Sequence, residues 1–232
     1  MSKLHLLWDI DGTLLTTQGV GHQPLMNAIL AEFPQGKSLT LKECSGKTDY
    51  EIVKECVGPK FWTKKSSVEN VITKYNNGLK QALHEKSACS IGQIDEILNL
   101  LNNNQRVDIA IVSGNNPEGA ATKLKSAGIY KHFEGKLKFL SSYENHDRFA
   151  IARNAISTLG EGFSVFFGDT PSDILVANRL KVPVVAFSSG HHSYDELKIY
   201  NPTFVLNTPG LSEVMQTIDI FLNNFNYNSD AI

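Results

Sequence analysis

The sequence is poor in cysteine and has no excess of basic residues. Three cysteines occur among its 232 residues, and the spacing of Cys44, Cys56 and Cys89 matches no zinc or redox motif. Sparse, odd-numbered cysteines predict unpaired thiols in a reducing compartment. The formal net charge is −2, so the composition gives no electrostatic reason to expect a nucleic-acid partner.

Long apolar runs are also missing. The first apolar run spans only residues 4–8 and ends at Asp9, which is too short for a signal peptide, and no other run is long enough to cross a membrane. These absences predict a cytoplasmic protein without membrane association. We expect either a monomer or a homodimer. The length accommodates one large domain, or a core domain with a smaller one beside it.

Short apolar runs recur along the chain and predict the strands of a sheet. They lie at residues 4–8, 107–112, 164–168, 182–187 and 203–206, with a further strand expected within 137–140. Because the runs are continuous rather than alternating, both faces of the sheet should be buried, as in a parallel sheet covered by helices. Helical patterns between the runs complete the prediction of a doubly wound, Rossmann-like α/β fold.

The segment from residue 16 to residue 90, called the insert below, does not follow this alternation. It shows no good strand, and its helical patterns lie at 22–33, 49–57 and 68–86. Because about 75 residues is too long for a connection in a compact domain, we expect a separate helical domain over 16–90. Residues 1–15 and 91–232 would then form the core domain. Gly19, Gly21 and the segment 87–92 are the expected hinges.

Polar residues follow the predicted strands at the points where they end. The first strand runs into Asp9 and Asp11, and the strand before residue 113 runs into Ser113-Gly114-Asn115. The strand ending at residue 168 runs into Asp169 and Asp173. Because the carboxyl ends of parallel strands share one edge of the sheet, these residues are expected to line one cleft.

Four carboxylates in one cleft need a compensating partner. Two unit negative charges at ~4 Å repel by about 4 kcal/mol at an effective dielectric of 20. Protonation or a divalent cation would relieve this repulsion, and oxygen ligands suit Mg²⁺. The small residues also leave backbone N–H groups open to an anion such as phosphate. A metal beside a phosphate pocket indicates phosphoryl transfer.

These motifs resemble the haloacid dehalogenase superfamily. The resemblance is carried by DIDGT at the first strand, the serine after the second, and GDTPSD after a later strand. GDTPSDI and SGKTDYEIV are most similar to the phosphoglycolate-phosphatase-like and beta-phosphoglucomutase-like branch. The insert, placed directly after the first strand, resembles the mobile helical cap of that superfamily.

The resemblance implies roles for the acidic residues. Asp9 would be the nucleophile that forms an aspartyl-phosphate, and Asp11 would be the general acid and then the general base. The carboxylates of Asp9 and Asp169 and the backbone carbonyl of Asp11 would bind Mg²⁺. Asp173 would be a further ligand or hold a metal-bound water, although capping of the helix that follows is the structural alternative.

The resemblance also implies the phosphate-binding residues. Ser113 would hydrogen-bond the phosphoryl group, with the backbone of Gly114 and Asn115 beside it. The family supplies a lysine between the strand at 107–112 and the strand at 164–168, and this sequence has no clear equivalent. Arg148 is the best match, because arginine binds oxyanions through two donors. Its rivals are Lys136 and Lys138.

Within the insert, Gly46-Lys47-Thr48-Asp49 resembles the family's substrate-specificity loop, so Lys47 is expected to meet the substrate as the cap closes. The alternative for Lys47 is an ordinary surface lysine.

The sequence therefore predicts a Mg²⁺-dependent phosphatase that acts on a small phosphorylated metabolite. A phosphomutase would share every core motif, and a phosphonate hydrolase would use Lys47 to form a Schiff base. A dehalogenase needs no proton donor at the second aspartate, so Asp11 argues against it. A non-catalytic binding module is the alternative from another class, and the intact set of aspartates argues against that.

Overall fold

The computed structural model describes residues 3–229 of the chain, and these residues form strands and helices in close alternation. In chain order the elements are β1 (Lys3–Trp8), β2 (Leu15–Thr16), α1 (His22–Glu32), α2 (Leu41–Cys44), α3 (Asp49–Val57), α4 (Pro59–Trp62), α5 (Lys65–Glu85), β3 (Cys89–Ser90), α6 (Ile94–Asn102), β4 (Val107–Ser113), α7 (Pro117–Ser126), β5 (Phe139–Leu140), α8 (Arg148–Leu159), β6 (Gly162–Gly168), α9 (Pro171–Leu180), β7 (Val184–Phe187), α10 (Tyr194–Lys198), β8 (Phe204–Leu206) and α11 (Leu211–Ser229). A short 3-10 helix spans Tyr130–His132.

The main sheet has six strands in the order β5-β4-β1-β6-β7-β8, and every neighbouring pair is parallel. Strand β1 lies in the middle and pairs with both β4 and β6. The predicted doubly wound, Rossmann-like α/β fold is confirmed. No helix within residues 3–229 is long and apolar enough to cross a membrane.

Apolar side chains cover both faces of the main sheet, as the continuous apolar runs predict. On one face, the rings of Trp8 and Phe167 stack with centroids 4.0 Å apart, and Phe187 continues the stack 6.2 Å from Phe167. A second cluster on the other face includes Leu7 and Ile151 and packs under α8 and α9. This packing fixes the carboxyl end of β1, from which Asp9 and Asp11 extend.

The insert contains the five helices α1 to α5, and α1 packs along α5. The prediction that it contains no strand is wrong at its two ends, because Leu15–Thr16 and Cys89–Ser90 form an antiparallel pair. One strand of this pair, Cys89–Ser90, lies within the segment 87–92 that is expected to be a hinge. Strands of two residues are too short to produce a readable periodicity. The boundaries of the two domains stay a prediction, with the strand pair at the point where the chain passes between them.

Candidate active site

The turn after β1 brings acidic side chains from two strand ends together. The backbone N–H of Asp9 donates to the carbonyl of Phe167 at 2.9 Å, which extends the β1–β6 pairing to the first aspartate. Gly12 follows with a φ of 80°, and a Cβ there would lie 2.1 Å from Oδ2 of Asp169. Glycine is therefore required at residue 12, both for the backbone conformation and for the approach of Asp169.

Asp9, Asp169 and Asp173 form a buried acidic cluster, with one oxygen from each within 4.8 Å of the others. Burial, more than any other cause, raises the pKa of Asp9 to about 6 and that of Asp169 well above its usual value. Oδ1 of Asp9 is buried without a hydrogen-bond partner. Crowded hard oxygens with raised pKa values are what a divalent cation would stabilise, so the residues fit Mg²⁺.

Arg148, the first residue of α8, is the cation beside this cluster. Its Nη2 lies 3.0 Å from Oδ1 of Asp9, outside hydrogen-bond geometry, and its Nε donates to Oδ1 of Asp173 at 3.1 Å. Burial acts to lower the pKa of Arg148, but Asp173 and Asp9 raise it more. Its rivals Lys136 and Lys138 do not line the cavity. The structure thus places only Arg148, of the three predicted cations, next to Asp9.

Asp173 has a structural role in addition to any role with a metal. Its Oδ2 accepts hydrogen bonds from the backbone N–H and hydroxyl of Thr170, and the Thr170 hydroxyl in turn accepts from the Asp173 N–H. This reciprocal pair caps α9. Because Oδ1 accepts from Arg148, both carboxylate oxygens of Asp173 already have protein partners. The capping alternative is therefore present, and metal binding by Asp173 stays a prediction.

The end of β4 and the segment after it, which hold the predicted phosphate-binding residues Ser113, Gly114 and Asn115, are joined to Asp11 by hydrogen bonds. Ser113 is buried at the end of β4, and the side-chain amide of Asn115 donates to its hydroxyl at 3.0 Å. The same amide donates to Oδ2 of Asp11 at 2.7 Å. A Cβ at Gly114 would lie 2.8 Å from Cα of Thr48, so this glycine lets the insert approach the strand end.

Lys123 is a site residue that the sequence analysis missed. It lies on α7 with its side chain 8% exposed, and its Nζ donates to Oδ2 of Asp11 at 2.7 Å and to Oδ1 of Asn115 at 2.6 Å. A signal was available, because Lys123 falls on the buried face of α7 that carries Ala120 and Leu124. A lysine whose charge does not reach solvent from such a face needs a close anionic partner.

Asp49, the last residue of the Gly46–Asp49 motif, joins the insert to the core, a role that the motif does not predict. Its Oδ2 accepts from the backbone N–H of Asn116 at 2.7 Å and from the Asn116 amide at 2.8 Å. Its own backbone N–H donates to the carbonyl of Gly114 at 2.8 Å. Lys47, the residue predicted to meet substrate, lines the cavity while paired with Glu55.

A cavity of about 510 Å³ lies between the insert and the carboxyl end of the sheet. Every predicted site residue lines it except Asp173 and the rival lysines Lys136 and Lys138. The insert contributes apolar surface as well, including Leu25, Ile52 and Tyr75. A volume of this size fits a small metabolite, and the mixed lining offers both polar and apolar contacts to it.

Comparison with known proteins agrees with this geometry. The family model of haloacid dehalogenase-like hydrolases matches residues 6–187, which is most of the chain. The chain belongs to this family. The superfamily predicted from the motifs is therefore confirmed, and with it the hydrolase class. No curated protein is similar enough in sequence to match.

Solved structures share the fold of this haloacid dehalogenase-like hydrolase over more than nine-tenths of its length. A hydrolase from Pseudomonas syringae superposes with a TM-score of 0.68 at 17% identity, covering 94% of this chain and 98% of its own. A predicted phosphoglycolate phosphatase from Haemophilus somnus gives 0.65 at 13% identity, covering 94% and 98%. A candidate beta-phosphoglucomutase from Thermotoga maritima gives 0.57 at 15%, covering 94% and 99%. At these identities the likeness establishes the shared fold.

Proposed function

We propose that this protein is a Mg²⁺-dependent phosphatase that hydrolyses a small phosphomonoester through an aspartyl-phosphate on Asp9. The observation that carries the proposal is the meeting of Asp9, Asp11, Ser113 and Arg148 around one cavity. The family assignment and the phosphatase named among the structural neighbours support it.

In the first half of the reaction, a carboxylate oxygen of Asp9 attacks phosphorus as the bond to the leaving oxygen breaks. Arg148, 3.0 Å from Asp9, binds the oxygens of the transferring phosphoryl group, and the Ser113 hydroxyl donates to them. Asp11 gives its proton to the leaving oxygen, so the product departs as a neutral alcohol.

In the second half, water attacks the aspartyl-phosphate and Asp11 accepts a proton from that water. Phosphate then leaves and the Asp9 carboxylate is restored. The carboxylates of Asp9 and Asp169 would hold Mg²⁺, which supplies charge neutralisation for the phosphoryl oxygens when bound. The fit rests on the buried, crowded oxygens of these residues.

The insert, residues 16–90, acts in this proposal as the cap that excludes bulk water and selects the leaving group. The contact of Asp49 with Asn116 supports this, because it closes the insert directly onto the phosphate-binding segment. Lys47 lies at the cavity wall, where it can exchange Glu55 for a polar group of the substrate.

Phosphate release from a panel of phosphomonoesters, with Mg²⁺ and with chelator, tests the proposal. We expect release that requires Mg²⁺ and is lost in Asp9→Asn, which keeps the shape of the side chain but removes the nucleophilic charge. Product analysis of sugar phosphates in the same panel separates hydrolysis from mutase chemistry. Folded, Mg²⁺-binding protein that releases phosphate from no ester would contradict the proposal and favour the mutase or a binding role.

A further inference from the structure

The carboxylate of Asp11 is held from one side only. Its Oδ2 accepts two short hydrogen bonds, from Lys123 Nζ at 2.7 Å and from the Asn115 amide at 2.7 Å. Within the part of the chain that the structure describes, Oδ1 of Asp11 accepts no hydrogen bond. Two donors on one oxygen fix the orientation of the carboxylate and leave the other oxygen available for a proton.

Lys123 is well suited to hold Asp11 in place. Its side chain is almost fully buried, and a buried ammonium is retained only with close anionic or polar partners. The second partner of Nζ, Oδ1 of Asn115, belongs to the amide that also binds Asp11. Lys123, Asn115 and Asp11 therefore form a closed triangle of hydrogen bonds, in which the displacement of one member strains the other two.

The environment of Lys123 also includes the insert. Its Cε lies 3.9 Å from the position of a Cβ on Gly21, and the hydroxyl of Tyr75 and the carboxylate of Asp49 act on its charge. These insert residues cover the ammonium and limit the access of water to its hydrogen bond with Asp11. The orientation of Asp11 thus depends on the insert being closed over α7.

We propose that Lys123 is a positioning residue that, together with Asn115, fixes Oδ2 of Asp11 so that Oδ1 delivers the proton to the leaving oxygen. The inference rests on the proposed phosphatase function. In the step concerned, the P–O bond to the leaving group breaks while Asp9 forms a new bond to phosphorus. The proton on Oδ1 of Asp11 moves to the leaving oxygen, and Asp11 becomes the carboxylate that Lys123 stabilises.

The test uses leaving groups that differ in their need for a proton. An alkyl phosphate needs protonation of its leaving oxygen, whereas p-nitrophenyl phosphate releases a stable anion without it. Because kcat/KM reports the steps up to departure of the leaving group, it isolates this half of the reaction. We expect Lys123→Met to lower kcat/KM about 100-fold for the alkyl ester and by less than about tenfold for the aryl ester.

Two further variants control the experiment. Lys125→Met removes an exposed lysine of the same helix and should leave both kcat/KM values unchanged. Lys123→Arg keeps a cationic donor and should recover part of the loss on the alkyl ester. If Lys123→Met does not fold, as judged by thermal unfolding, Lys123→Gln replaces it, because a neutral donor should still show a loss greater for the alkyl ester.

An equal loss on both esters would overturn the inference, since Lys123 would then support the fold or bind the phosphoryl group. A rise in KM with unchanged kcat on both esters would also overturn it, and would make Lys123 a substrate ligand. Either result, obtained with wild-type protein that releases phosphate, leaves the proposed phosphatase function intact. Failure of the wild type on every ester identifies failure of the proposed function instead.

Discussion

Two buried cations divide the site into an Arg148 unit and a Lys123 unit. Arg148 contacts Asp9, which follows β1, and Asp173, which lies in the first turn of α9. Lys123 contacts Asp11 and Asn115, and insert residues cover it. The carboxylates differ in exposure as well, since the side chain of Asp9 is 9% exposed and that of Asp11 is 40% exposed.

The difference agrees with the proposed roles, in which Asp9 is the nucleophile and Asp11 carries protons. A nucleophile gains from being fixed and dry, because its attack depends on position and on the electrostatic field around it. A group that carries protons has to exchange them with the leaving group and with water, so it lies at the cavity surface. The rigid core therefore holds Asp9, and the junction between core and insert holds Asp11.

Removal of the Arg148 cation should give the largest effect and tests the role of the Arg148 unit. Arg148→Met leaves the carboxylates of Asp9 and Asp173 buried without their partner, which costs ~3–5 kcal/mol of folding free energy when a buried pair is broken. The transferring phosphoryl group also loses its cation, so kcat should fall about 10³-fold or more. Steady-state phosphate release and thermal unfolding measure the two effects.

Arg148→Lys separates charge from geometry in the same unit. A single ammonium restores the positive charge but cannot reach Asp9 and Asp173 through separate planar donors. We therefore expect the stability to recover more fully than kcat. Full recovery of kcat in Arg148→Lys would contradict the role given to the guanidinium, and an active Arg148→Met would remove Arg148 from the mechanism.

Substitution of Asp49 should give an intermediate effect and tests the contact between the insert and the core. Asp49→Ala removes the acceptor for two donors of Asn116, and an unpaired buried donor costs ~1–3 kcal/mol. The insert then closes less firmly on the segment after β4. We expect KM for the best ester to rise about tenfold with a smaller change in kcat, because closure contributes binding energy.

Asp195→Ala is the matched control for Asp49, since Asp195 is an exposed carboxylate in the first turn of α10. It should change neither KM nor the unfolding temperature by a measurable amount. If Asp49→Ala and Asp195→Ala behave alike, the contact between insert and core has no part in substrate binding, and the two units do not differ in the way described.

The residues of the Arg148 unit were predictable because they follow strands or begin a helix within recognisable motifs. Continuous apolar runs place the strand ends at one edge, and acidic residues directly after them define the cleft. Sequence order alone could not choose among Arg148, Lys136 and Lys138, because their distance from Asp9 depends on how α8 packs on the sheet. In the structure, only Arg148 of these three residues lies next to Asp9.

The Lys123 unit was not predictable in the same way. Lys123 lies in the middle of α7, eight positions after Asn115 and outside the Ser113-Gly114-Asn115 motif, and its partner Asp11 is more than a hundred positions away. Only the buried face of α7 offered a signal, and lysines on such faces commonly extend their charge to solvent. Asp49 was hidden for a related reason, since its acceptor role appears only once the insert packs against α7.

The smallest expected effect concerns the charge on Asp9. Its dependence on pH tests whether the carboxylate of the Arg148 unit is buried and ionisable. Burial raises the pKa of Asp9 to about 6, so in metal-free protein the folded state holds this proton more strongly than the unfolded chain. The resulting stabilisation is fully present below about pH 4 and is lost as the pH rises through about 6. Asp169, whose pKa is raised in the same direction, adds to the loss at higher pH.

Asp9→Asn lacks this charge, so its unfolding temperature without metal should match that of the wild type near pH 4 and exceed it by a few degrees above about pH 6. Mg²⁺ should reverse the order at high pH, because the cation binds the ionised Asp9 and stabilises the wild type more than the variant. Calorimetry at graded pH, with Mg²⁺ and with chelator, measures both differences. A difference between the two proteins that does not vary with pH would show that Asp9 is not the buried, ionisable nucleophile that the geometry of the Arg148 unit requires.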